Sequence, residues 1–74
     1  MDTLTPTQSR VLQYIRNALK SNGYPPTERE IAKHFAWASV NAARQHVRLI
    51  ALKGHLRRVP HVSRGIVLLK ANGK

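Results

Sequence analysis

The sequence predicts a small, mainly α-helical domain closed by a short β-hairpin. Three observations carry that reading. Apolar residues recur at helical spacing in three separate stretches ahead of Gly54. Each stretch opens on a helix-capping signal: Thr5-Pro6-Thr7-Gln8, Thr27-Glu28-Arg29-Glu30 and Ser39. After Gly54 the helical period gives way to two short runs of β-branched and aliphatic residues. With 74 residues there is room for one domain, 1–74, and no internal repeat. A chain of this size hides only about 60% of its unfolded surface. It contains no cysteine, so its core must come from packing, without disulfides or thiolate-bound metal.

The first helix is expected over about 6–22. Thr5 caps it, Pro6 suits the first helical position and Gln8 completes a capping box. Val11, Leu12, Ile15 and Leu19 form its apolar stripe, and Asn22-Gly23 ends it. Tyr24-Pro25-Pro26 must be an extended connector. A second helix is expected over about 28–35, with Glu28 and Glu30 in the first turn, where the helix dipole favours acids. Ile31, Ala32 and Phe35 give it a buried edge, and it stops near Ala36-Trp37-Ala38.

The third helix, about 40–53, carries the chemistry. Ala43, Val47 and Ile50 make its apolar back, flanked by Val40 and Ala51. Asn41, Arg44, Gln45 and Arg48 fall on the opposite face, which holds no acid. Guanidinium forks and side-chain amides are the groups best matched to guanine and adenine edges in a DNA major groove. Two helices joined by about four residues, the second basic in front, form a helix-turn-helix. Leu56–Val59 and Gly65–Leu69 then read as a hairpin wing over about 55–69, with a basic tip, followed by a frayed tail over 70–74.

Charge points the same way. Thirteen Lys and Arg stand against three acids, a net charge of +10, and from Ile31 onward there is no acid at all. A one-sign field of this kind draws a polyanion. No apolar run is long enough for a membrane span, no helix pairs a Lys-rich face with a Trp/Phe/Leu-rich one, and Met1-Asp2-Thr3-Leu4 does not open a signal peptide. His34, His46, His55 and His61 match no metal spacing, and His46 reads as a core-edge residue. No paired carboxylates or base and nucleophile point to catalysis, so no catalytic residue, cofactor, metal or small-molecule substrate is expected. RNA binding is disfavoured because Tyr14, Tyr24, Phe35 and Trp37 look scattered or buried. Arg57 and Arg58 alternate along a strand, so at most one faces nucleic acid.

Several motifs together resemble the N-terminal DNA-binding domain of the LexA repressors. They are Pro25-Pro26-Thr27 followed by Glu30-Ile31-Ala32, then Ser39 and Asn41-Ala42-Ala43, then Lys53-Gly54 and Ser63-Arg64-Gly65-Ile66. The resemblance implies a three-helix winged helix-turn-helix that binds a double-stranded DNA operator as a pair of protomers, third helix in the major groove. It implies base or adjacent phosphate contacts at Ser39, Asn41, Ala42, Arg44 and Gln45, and backbone contacts at Lys53, Ser63 and Arg64. Arg48 joins them from the helix face itself. Family members commonly carry acids at the positions of Arg44 and Gln45 and often Gly at that of Ala36, so the operator half-site is expected to differ. They also continue into a hinge and a self-cleaving Ser/Lys domain, which these 74 residues do not supply.

The resulting expectation is a transcriptional repressor or regulator of the LexA type, governing DNA-damage (SOS) genes in the bacterial cytoplasm at the nucleoid. The alternative is an interaction or competitor module that binds or antagonises a full-length regulator.

Overall fold

Three helices, a two-stranded hairpin and the loops joining them are described by a computed structural model, over residues 3–62 and 64–69. Helix α1 spans Pro6–Asn22, α2 Glu28–His34 and α3 Val40–Leu52, followed by β1 Leu56–Arg58 and β2 Ile66–Leu68. This is the mainly α, winged helix-turn-helix architecture expected, with α2 and α3 each one residue shorter than anticipated. No helix among the described residues is long and apolar enough to cross a membrane.

Local chemistry sets the helix boundaries. Thr5 is extended, its hydroxyl accepts from the Gln8 backbone amide at 3.1 Å, and the Gln8 side-chain Oε1 accepts from the Thr5 backbone amide at 3.1 Å. Thr27 and Glu30 repeat the reciprocal box at 3.0 and 3.1 Å. Each box supplies two otherwise orphaned backbone donors with acceptors. Gly23 closes α1 at φ 83°, donating to the Leu19 carbonyl at 2.9 Å.

The start of α3 departs from expectation. Ser39 occupies the N-cap position, but its hydroxyl makes no capping hydrogen bond. The Ala42 amide, a donor that hydroxyl would have taken, turns instead to the Ser39 carbonyl at 3.3 Å. The Ser39 side chain is thereby left exposed at the front of α3.

The turn between α2 and α3 is built on Ala36, a non-glycine residue at φ 58°. Its amide donates to the Lys33 carbonyl at 3.1 Å, and the Trp37 amide reaches back to Ala32 at 2.9 Å. That pair of bonds is a Schellman ending, which normally places Gly where Ala36 stands. The left-handed conformation costs an L-residue roughly 1–2 kcal/mol.

One core holds the elements together. Val11 and Ile15 of α1, Ile31 of α2 and Ala43, Val47 and Ile50 of α3 have no exposed surface, and Leu56 of β1 seals them from the wing side. Burying each larger aliphatic side chain contributes about 1.5–3 kcal/mol. The expected back of α3 is therefore its inner face, whereas Leu19 and Phe35 lie only half-buried at the edge. The strands pair antiparallel as Leu56 with Leu68, Arg57 with Val67 and Arg58 with Ile66. They are shorter than expected, although Val59 donates to Gly65 at 2.6 Å and Leu69 to His55 at 3.1 Å beyond the ladder ends. Residues 70–74, expected as a tail, lie outside the described residues.

Tyr14, Phe35 and Trp37 are gathered, not scattered, whereas Tyr24 stands apart and exposed. Tyr14 stacks on His34 with ring centroids 4.0 Å apart, Phe35 on Trp37 at 4.9 Å, and Trp37 on His46 at 4.6 Å. His34 meets Phe35 edge-on at 4.8 Å, so the run is continuous from α1 through α2 to α3. The separations in sequence hid this, because the turn at Ala36 folds Trp37 back against α3. His46 is a core-edge residue, its Nδ1 2.8 Å from the Ala42 carbonyl.

Candidate nucleic-acid interface

The outward face of α3 presents Asn41, Arg44, Gln45 and Arg48 as exposed side chains along one side of the helix. They line a shallow concavity of ≈ 550 Å³ together with Arg58 of β1. Arg58 thus answers which of the adjacent wing arginines faces the α3 groove. The face arises because Ala43, Val47 and Ile50 occupy the opposite side of the same helix and dock into the core. Ala42 is half-buried between the two faces, and Ser39 sits at the leading end with its hydroxyl uncommitted to a cap.

An acid enters this face from another element, which the α3 sequence alone does not reveal. Glu28, the first residue of α2, accepts from Arg44 Nε at 3.2 Å and from Arg58 Nη2 at 2.8 Å. Arg44 Nη1 also donates to the Asn41 side-chain oxygen at 3.1 Å. The Asn41 carbonyl is therefore turned toward Arg44, which leaves its amide NH2 group as the outward edge. Asn41 and Arg44, which periodicity presents as independent, form one hydrogen-bonded unit with Glu28 and Arg58.

Two cations that the resemblance assigned to backbone contact are engaged within the protein. Arg64 forms a fork-to-fork pair with Glu30, Nη1 to Oε1 at 2.8 Å and Nη2 to Oε2 at 2.9 Å, while Nη1 also donates to the Pro25 carbonyl at 2.9 Å. Its guanidinium carbon lies 4.5 Å from the centre of the Tyr24 ring. The Arg64 hydrogen bonds, then the Thr27 backbone amide, hold the Glu30 carboxyl at about 2, and Glu30 in turn raises the Arg64 guanidinium above its ordinary value. Arg64 thus clamps the wing to the connector and α2. Lys53 Nζ donates to the Thr3 carbonyl at 2.8 Å and to Gln8 Oε1 at 2.6 Å, tying the end of α3 to the start of α1. Ser63 lies outside the described residues.

Long-range pairing explains what the sequence concealed. Both described acids sit in the first turn of α2, where capping and the helix dipole already account for them. Nothing local announces that Glu28 and Glu30 also collect three arginines from α3 and the wing. Among the described residues, no group of three or more His, Cys, Asp or Glu gathers as a metal site.

The sequence profile of the LexA DNA binding domain matches residues 1–65. The LexA repressor of Cupriavidus pinatubonensis is 47% identical over 68 residues, covering 92% of this chain and 31% of the relative. That of Tolumonas auensis is 48% identical over 69 residues, covering 93% and 34%, and that of Pseudomonas chlororaphis 46% over 63 residues, covering 85% and 31%. The chain spans about a third of the length of these curated relatives.

Proposed function

Because the chain belongs to the LexA DNA-binding domain family, we propose that it acts as a sequence-specific repressor whose α3 enters the operator major groove and reads an altered half-site. The observation that carries this reading is the single polar face formed by Asn41, Arg44, Gln45 and Arg48, with Arg58 beside it. Arginine donates two hydrogen bonds to guanine, and glutamine pairs with adenine, whereas acids at such positions accept from cytosine. Arg44 and Gln45 therefore favour a different text from the one acids would select. Operators are bound by a pair of protomers, and the genes held down are of the DNA-damage (SOS) class.

Arg48, Arg58 and the Ser39 hydroxyl supply contacts to phosphate or to nearby base edges. Arg64 is ion-paired with Glu30, and Arg44 and Arg58 share the single charge of Glu28, whereas Lys53 is held by two neutral oxygens and keeps its full charge, so counterion release comes from the α3 face, β1 and Lys53. With about three to four phosphates neutralised per protomer, log K falls with log salt at a slope of about −3.

Binding-site selection from random duplex DNA, followed by gel shifts with the purified chain, tests the reading. The expected result is a two-fold symmetric motif, with Arg44→Ala costing roughly 1–3 kcal/mol and relaxing one base pair in each half-site. A motif that survives Arg44→Ala unchanged removes Arg44 as a reader. No selected motif and no salt dependence would instead favour the competitor module, which captures a full-length regulator without DNA.

A further inference from the structure

Glu28 is the acid that reaches the reading face, and one carboxylate there joins α2, α3 and β1. Its two oxygens are divided between Arg44 Nε at 3.2 Å and Arg58 Nη2 at 2.8 Å. The Glu28 side chain is 17% exposed, against 52% for Arg44 and 39% for Arg58, so the carboxylate lies beneath the guanidinium pair. Asn41 takes a second Arg44 donor, on Nη1, at 3.1 Å. A guanidinium has five N–H donors in a rigid fork. Those left uncommitted on Arg44 lie on Nη1 and Nη2, the end-on edge whose spacing matches guanine O6 and N7.

We infer that Glu28 is a positioning residue for base recognition: it fixes the orientation of Arg44 and Arg58 and thereby sets the preference at the base pair Arg44 reads. This rests on Arg44 being a reader, as proposed above. An arginine free in solvent loses rotamer freedom when it binds. One already held at Nε by a carboxylate and at Nη1 by an amide has lost much of it beforehand. The same carboxylate subtracts one unit of positive charge from the face and so weakens attraction to any duplex. Glu28 therefore has two effects of opposite sign, stronger discrimination and weaker non-specific binding. An acid that only supported the fold would, on removal, lower both kinds of binding together by reducing the folded fraction.

The test compares the wild-type chain, E28Q, R44A and the double variant. Each is titrated with a selected duplex, the same duplex changed at the base pair that R44A relaxes, and a random duplex. The wild type should prefer the selected base pair roughly tenfold. E28Q should reduce that preference at least about twofold, the low end of coupling within one hydrogen-bonded network. Its affinity for random duplex should hold or rise, and in the R44A background E28Q should leave the preference unchanged. If E28Q keeps the wild-type preference while R44A abolishes it, the role of Glu28 is overturned and Arg44 stands as a reader. If R44A itself keeps the preference, both are overturned. Thermal melting of each variant checks folding. Should E28Q be unfolded at the assay temperature, E28D keeps the charge, shortens the reach by one methylene and carries the same prediction for base preference.

Discussion

Replacing Ala36 with glycine should stabilise the domain. Ala36 holds φ 58° at the Schellman position that ends α2, and its side chain is exposed, so removing the methyl group forfeits little packing. Relief of the left-handed conformation is worth roughly 1–2 kcal/mol. Glycine's greater freedom in the unfolded chain returns about 0.4–1 kcal/mol. At the midpoints of the two ranges the net gain is about 0.8 kcal/mol, with both backbone bonds of the turn retained. For a domain of this length, each kcal/mol moves Tm by about 4–8 °C, so Ala36→Gly should melt about 3–6 °C higher. Thermal and urea unfolding monitored by circular dichroism measure both the shift and the extrapolated free energy. Ala36→Val should move the other way, because a β-branched residue is strained further at positive φ. A glycine variant no more stable than the parent would refute the assignment of strain to this turn.

Other expectations follow from the core and the wing. Ile50→Ala empties a fully buried position of α3 and should cost about 2–5 kcal/mol in urea unfolding. Gly65→Ala should destabilise the hairpin, because a Cβ there runs into the Val59 carbonyl oxygen and comes within 3.0 Å of that of Val62; hydrogen exchange at the Val59 amide should rise. Glu30 has a carboxyl lowered from 4.5 to about 2, chiefly by Arg64. Because its folded value is depressed, its contribution is fully present above about 4.5 and is lost as pH falls through about 2. The side chain is 45% exposed and solvent-screened, so this contribution is no more than about 1 kcal/mol. Glu30→Gln should flatten the pH dependence of stability in that window, and an unchanged dependence would show that the clamp with Arg64 is energetically silent.

The helix boundaries and the core were legible because they are written locally. Thr5 with Gln8, Thr27 with Glu30, and Gly23 each act within a few residues, and the Ala43, Val47, Ile50 stripe obeys helical period. The face of Asn41, Arg44, Gln45 and Arg48 was legible for the same reason. Its chemistry was not, because it depends on partners distant in sequence. Glu28 lies 16 residues from Arg44 and 30 from Arg58, and Arg64 lies 34 from Glu30. Periodicity shows which way a helix faces, but it does not show which acid from another element arrives there. Lys53 is a second instance: from sequence it is a cation near DNA, and in the fold it reaches Thr3 and Gln8 across the molecule.

The stacked run from Tyr14 to His46 gives this domain a built-in optical gauge. Trp37, the single tryptophan, stacks near-parallel on Phe35 at the end of α2 and on His46 within α3, with interplanar angles of 17° on both sides. Its emission therefore responds to changes at the joint between those two helices, where both stacking partners lie. Circular dichroism of the helices, recorded beside the tryptophan emission, distinguishes loosening of the joint from melting of the whole domain. A rearrangement of that joint during DNA association is then measurable in the unlabelled protein, in real time, by stopped-flow fluorescence.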